Sequence, residues 1–127
     1  MSYASTGGMD DKFGANNIAT WADRDNDSNP VEIASHKAAA IMFGDSELEG
    51  LLCDTHYRKP FVTASGGTPN LIVDIANSLA GCWLRDEWGQ DKYDGNGEPN
   101  DSLAYHRTRA YKLIEQIKTG ELRLDAI

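Results

Sequence analysis

Apolar positions recur along this chain at helical spacing, in segments separated by polar or glycine-rich stretches. The breaks fall at Asp23 to Asn29, Arg58 to Thr68 and Gly89 to Asp101, each rich in residues that end helices. In the first segment Ile18 and Trp21 share a helix face, and Gly14 separates two short helices. Asn16 or Asn17 is available to cap the second of them. The second segment opens on Ser28-Asn29-Pro30, a capping residue followed by proline at the first helical position, where its missing N–H is not needed. From there Val31, Ala34, Ala38, Ile41, Leu48 and Leu52 form a stripe that Asp45 interrupts. Continued to His56, such a helix has about 27 residues and a length of ~40 Å. Gly44 and Gly50 each weaken it by roughly 1 kcal/mol relative to alanine, and Gly44 is the place where a kink is expected.

The third segment repeats the start signal, with Thr68 as cap and Pro69 at the first position. Ile72, Ile75, Ala76, Leu79 and Trp83 make its stripe, which should end near Trp88-Gly89. The fourth starts at Asp101 or Ser102, carries Leu103, Ala110, Leu113, Ile114 and Ile117, and closes on Gly120 as the left-handed residue. Beyond it, Glu121 to Ile127 alternates polar and apolar residues, the period of a strand. Seven residues make no stable strand alone, so this tail must pair with something or stay loose.

The pattern therefore predicts an all-α fold, a small bundle of about four helices with long loops and an extended C-terminal tail. The helical domain covers 1–120, with 1–8 extended, and the tail covers 121–127. The expected core comprises Ile33, Ile41, Leu48, Leu52, Ile75, Leu79, Trp83, Leu113 and Ile117. Ala38-Ala39-Ala40 would let another helix approach closely, and the simplest partner is one of the same chain.

Composition narrows this picture. The 127 residues suit one domain, and 40% apolar with 25% charged residues suffices for a modest core. No apolar run approaches the ~20 residues that span a bilayer, and the first eight residues lack the basic start and apolar block of a signal peptide. The expectation is a protein that stays in the cytoplasm where it is made and meets no membrane. Cys53 and Cys82 have no metal spacing and read as buried free thiols. A net charge of -8 argues against a surface that holds nucleic acid, which needs gathered Lys and Arg.

Candidate chemistry is sparse. Asp23, Asp25 and Asp27 open like a calcium loop, but Ser28 stands where the sharp turn needs glycine and Ala34 where the bidentate glutamate belongs. An acidic capping turn is the better reading. Asp94, Asn96 and Glu98 fail the same test at Pro99 and Tyr105. His36, His56 and His106 share no metal-site spacing, and no nucleophile elbow, phosphate loop or dinucleotide fingerprint occurs. Ser65-Gly66-Gly67-Thr68 precedes a helix but lacks a following lysine, so it reads as loop and cap. No catalytic, cofactor or metal residue is expected, and the chain is not read as an enzyme. Trp88, at a helix end, is the candidate interface anchor.

The order of these landmarks resembles the small helical protein family encoded in the head-gene cluster of Mu-like prophages, itself similar to the adaptor, or head-completion, proteins of long-tailed phages. Lys12-Phe13-Gly14 followed by Trp21-Ala22-Asp23-Arg24-Asp25 is similar to that family's opening "FG … L-x-D-R-D" element. Glu47 to Leu52, then Tyr57 and Lys59-Pro60, resembles its "E-I-D-x-Y-L … Y-x-L-P" helix end. Asp74-Ile75-Ala76 with Leu79 resembles "D-I-A-x-x-L". Arg109-Ala110-Tyr111, Leu113-Ile114, Ile117 and Thr119 to Leu122 resemble the closing helix. Lys59 replaces a leucine, Gly44 replaces a helix former, and the loop from Gly89 is long; these departures bear on local contacts.

The resemblance implies a structural virion protein at the neck, a head–tail adaptor. It would form a ring of its own copies, usually dodecameric, between the portal protein and the next neck or tail protein. Genome DNA would pass through without specific binding, along an acidic lumen. In such adaptors the C-terminal segment docks on the portal, which assigns that role to Leu122, Leu124 and Ile127. Two alternatives are a tail-completion or tail-terminator protein, usually α/β, and a small phage-encoded regulator that binds a host protein.

Overall fold

Ser5 sets the first helix. Its backbone is extended and its Oγ accepts a hydrogen bond from the Gly8 N–H, leaving α1 to run Thr6–Phe13. Gly14, at φ +94°, turns the chain sharply and α2 follows as Ala15–Ala22. Asn29 caps α3, accepting from the Val31 and Glu32 N–H groups, with Pro30 at the first position of Pro30–Leu51. α4 is Asn70–Trp88 and α5 is Ala104–Thr119, closed by Gly120 in the left-handed conformation at φ +87°. The computed structural model describes residues 3–23, 27–53, 55, 57, 61, 67–88 and 103–122.

The all-α class is as expected, with five helices and no strand among the described residues. The five include the two short helices expected on either side of Gly14, so the overall count of about four was one too low. The N-terminal stretch 1–8 was expected to be extended, yet helix begins at Thr6, because Ser5 supplies a cap. Tyr3 and Ala4 ahead of it are buried, and both of their N–H groups donate to Asp45 Oδ1, at 3.0 and 2.9 Å. α3 ends at Leu51, short of His56, with Leu52 and Cys53 in the closing turn. It runs unbroken through Gly44. α4 begins one residue after Pro69, whose carbonyl accepts the first intrahelical bond, and α5 begins at Ala104, after both expected starts.

α4 is the centre of the molecule and touches all four other helices. It was expected to bury a single stripe, but ten of its residues are buried, around nearly its whole circumference. Its small residues make this possible. A Cβ on Gly81 would overlap the Phe13 ring, and a Cβ on Gly44 of α3 would lie 2.8 Å from the Ala76 carbonyl oxygen and 3.0 Å from Ala80 Cβ. The two polar residues buried on α4 are satisfied within it and by the N-terminus. Asn77 Nδ2 donates to the Val73 carbonyl, Asn77 Oδ1 accepts from the Ser5 N–H, and Ser78 Oγ donates to the Asp74 carbonyl.

Of the expected core, Leu48, Leu52, Ile75, Leu79 and Ile117 are buried. Ile33, Ile41, Trp83 and Leu113 lie half-buried against it. Cys82 is a buried free thiol, but Cys53, expected to be buried too, is exposed, because α3 has already ended there.

Candidate functional site: the outer face of α3

A helix shows one side to its neighbour and the other to water, so the inward side of α3 decides what the outward side carries. Ala40, Gly44 and Leu48, four residues apart, are the buried line. Gly44 meets the Ala76 carbonyl and Ala80 of α4 at a close approach. The first half of the expected stripe, Val31, Ala34 and Ala38, is thereby turned outward, while Leu48 and Leu52 stay buried. Val31 is 77% exposed and Met42 70%, with Ala34 and Ala38 exposed between them. Spacings of three, four and four keep these on one side of the helix. A shallow groove of about 520 Å³ runs beside them, lined by Pro30, Ile33, Ala34, Lys37, Ala38 and Ile41. Between Ile33 and Gly44 the single formal charge is Lys37. His36 is occupied in holding the helix, with Nδ1 at 2.6 Å from the Ala22 carbonyl oxygen. Large apolar side chains aligned in solvent mark a contact surface more often than scattered ones do.

Charged groups elsewhere tie the helices together. Asp74 of α4 receives Lys12 Nζ of α1 at 2.5 Å and a hydrogen bond from Arg109 of α5. Burial pushes the Asp74 carboxyl up, but the two cationic donors outweigh it and hold it below the usual value. His106 packs edge-on to Phe13, at 4.8 Å between centroids. Burial, then the charges of Lys12 and Arg109, press its pKa down. Arg107 Nη1 and Nη2 grip both oxygens of Asp86 at 2.8 and 2.9 Å, a bidentate pair between α5 and α4. Tyr3 OH donates to Glu49 at 2.8 Å and accepts from the Phe61 N–H. Burial raises its phenol to about 12.

The acidic turn after α2 engages its carboxylates locally. Asp23 accepts from the Asp27 and Ser28 N–H groups, and Asp27 from Asn29, as expected of a capping turn. Asp25 lies outside the described residues. No group of three or more His, Cys, Asp and Glu side chains is placed to hold a metal ion among the described residues. Nor, among them, is any helix long and apolar enough to cross a membrane.

A smaller cavity, about 220 Å³, opens between α3, α4 and α5, walled by Phe43, Glu47, Trp83, Asp86, Arg107 and Tyr111. Phe43 stacks on Trp83 at 5.5 Å and 22°. Tyr111 OH donates to Glu47 Oε1 at 2.6 Å, and burial raises that phenol to about 12, helped by Glu47.

The expected docking residues are only partly placed. Leu122 is half-buried against the core, and its N–H donates to the Gln116 carbonyl at 3.1 Å. Leu124 and Ile127 lie outside the described residues. Trp88 also packs half-buried at the core edge, with the Arg85 guanidinium 4.9 Å from its ring centroid. Sequence reasoning missed the α3 face, placing Val31, Ala34 and Ala38 on the apolar stripe and leaving Met42 unassigned. The signal that could have found it is the pairing of Ala40 with Gly44, small residues that invite a neighbouring backbone. Scanned against models of known protein families the chain matches none, and no curated protein matches it.

Proposed function

We propose that this chain is a structural subunit of a tailed phage's neck, an adaptor that joins its own copies in a ring between the portal protein and the next neck or tail protein. The observation that supports it is the outer face of α3. Val31 and Met42 stand exposed on α3, where the stretch from Ile33 to Gly44 bears one formal charge, in a chain whose net charge is -8. Copies of so acidic a protein repel one another wherever charged faces meet. A charge-poor apolar face is where they can associate, and we assign it to the contact between neighbouring copies. The helical elements also favour the adaptor over the tail-completion reading, whose members are usually α/β. The ring sits in the virion, and DNA crosses it without being bound.

Leu122 is the last described residue, at the edge of the domain. With Leu124 and Ile127 it belongs to the segment assigned to portal docking; its own N–H is engaged by the Gln116 carbonyl, so a strand that gains backbone hydrogen bonds by joining another chain would begin beyond it. The test is co-expression with a portal protein and negative-stain imaging, using the full chain and a form ending at Gly120. The full chain should decorate the portal with a ring and the shortened form should not. A shortened form that still attaches would remove the docking role from the last seven residues, and a full chain that never attaches would overturn the adaptor reading.

A further inference from the structure

We propose that residues 3–13 are an exchangeable arm. Through a hinge at Gly14, the arm of one copy docks on α3 and α4 of a second copy and makes there the contacts it makes on its own chain. The hinge is one residue between two helices. The hydrogen-bond ladder of α1 runs into it, with the Gly14 N–H donating to the Asp10 carbonyl at 2.8 Å. The ladder of α2 leaves from it, with the Ile18 N–H donating to the Gly14 carbonyl at 3.1 Å. Only the Gly14 backbone, at φ +94° and ψ 132°, breaks the path between them. Glycine adopts helical dihedrals as readily as these. In that conformation α1 and α2 become one helix from Thr6 to Ala22, with new bonds from residues 15–17 to the carbonyls of residues 11–13. The eight residues of α1 then project by about 12 Å from the start of α2, off their own α4.

The arm needs a seat, because α1 is short and carries Gly7 and Gly8, too weak to stay helical alone. What holds it comes from remote parts of the chain. The Tyr3 and Ala4 N–H groups donate to Asp45, the Ser5 N–H donates to Asn77 Oδ1, and Lys12 pairs with Asp74. Met9 is fully buried, and the Phe13 ring fills the notch that Gly81 leaves in α4. A second copy offers an identical seat, so exchange restores every one of these contacts and changes only the hinge. Arms passed from each copy to the next also suit a ring, whose contacts join unlike surfaces. This contact is additional to the outer face of α3, and its test involves neither that face nor a portal protein.

The experiment unfolds equal amounts of ¹⁵N-labelled and unlabelled full chain together in urea and refolds the mixture. A carbodiimide then joins the Lys12 amine to the Asp74 carboxyl as an amide, with loss of water, and mass spectrometry reads the label of each linked peptide pair. Pairs of one label report an arm on its own chain, and mixed pairs report an arm on another. Wild type refolded dilute should give pairs of one label. Gly14→Ala places alanine in a turn that it adopts only with strain, and favours the continuous helix. About half of its pairs should be mixed, the statistical share for arms seated on other copies. Pairs of one label only, or no Lys12–Asp74 link in a variant that circular dichroism shows to be folded, would overturn the proposal. Should Gly14→Ala fail to fold, wild type refolded at high concentration decides. Mixed pairs in its oligomeric fraction uphold the exchange, and pairs of one label there refute it.

Discussion

His106 carries the clearest consequence at the scale of one residue. Its ring is pressed against Phe13 while Lys12 and Arg109 place positive charge nearby, and only Asp74 opposes them. The folded state therefore disfavours protonation, and the folded pKa lies below the ordinary value of about 6.5. A base with a depressed pKa stabilises fully above its unfolded value, and that contribution is lost as pH falls below about 6.5. NMR titration of the His106 ring should give a midpoint below the ordinary value, and Arg109→Gln should move it upward. An unshifted midpoint would mean that the Asp74 cluster does not surround this histidine. Asp74 adds a second pH dependence in the same direction. Its depressed carboxyl contributes stability above about 3.9, lost as pH falls through the folded value. Neither effect was legible in the chain, where Lys12, Asp74 and Arg109 lie far apart and only folding brings α1, α4 and α5 together.

At the scale of the element, the packing of α3 on α4 makes two glycines of one helix behave oppositely. Gly44 lies under the Ala76 carbonyl and Ala80, so Gly44→Ala must push two helices apart. It should cost ~1–3 kcal/mol, the usual range for overpacking. A Cβ on Gly50 meets nothing within 4 Å. Gly50→Ala should then gain up to about 1 kcal/mol from helix propensity alone. Urea unfolding of the two variants decides it, and destabilisation of equal size in both would contradict the described contact. The helices themselves were legible. Asn29-Pro30 marks a start, Gly120 a close and Gly14 a break, because each residue acts through its own backbone geometry. The inward face of α3 was legible only in part, for Ala38 to Ala40 signalled a close helix approach, but Ala40 and Gly44 add little to a hydrophobic stripe. Which line of small residues meets the neighbour is settled only when the neighbour is in place.

For the whole molecule, the outer face of α3 and the net charge of -8 act against each other. Self-association through Val31 and Met42 should strengthen as salt screens the repulsion between acidic copies. Met42→Glu should abolish it while leaving the melting temperature of the monomer within a degree or two, since Met42 is 70% exposed. Sedimentation velocity at low and moderate salt reads both effects. Association that weakens with salt, or that survives the substitution, would place the contact elsewhere. Little of this surface could be read beforehand, because its residues fit a core stripe just as well.

The sequence by itself determined the helical class, most helix boundaries and the locally bonded acidic turn. These depend on hydrogen bonds, capping and backbone freedom within a few residues, and short-range rules reach that far. Only the tertiary structure decided that α4 is surrounded, that Val31 and Met42 face solvent, and that Glu47 shares a cavity with Trp83 and Arg107. Those outcomes depend on which small residues let distant helices approach, a choice made among competing packings of the whole chain. An apolar stripe shows that a face avoids water; whether its own core or another molecule covers it is settled only when the helices pack.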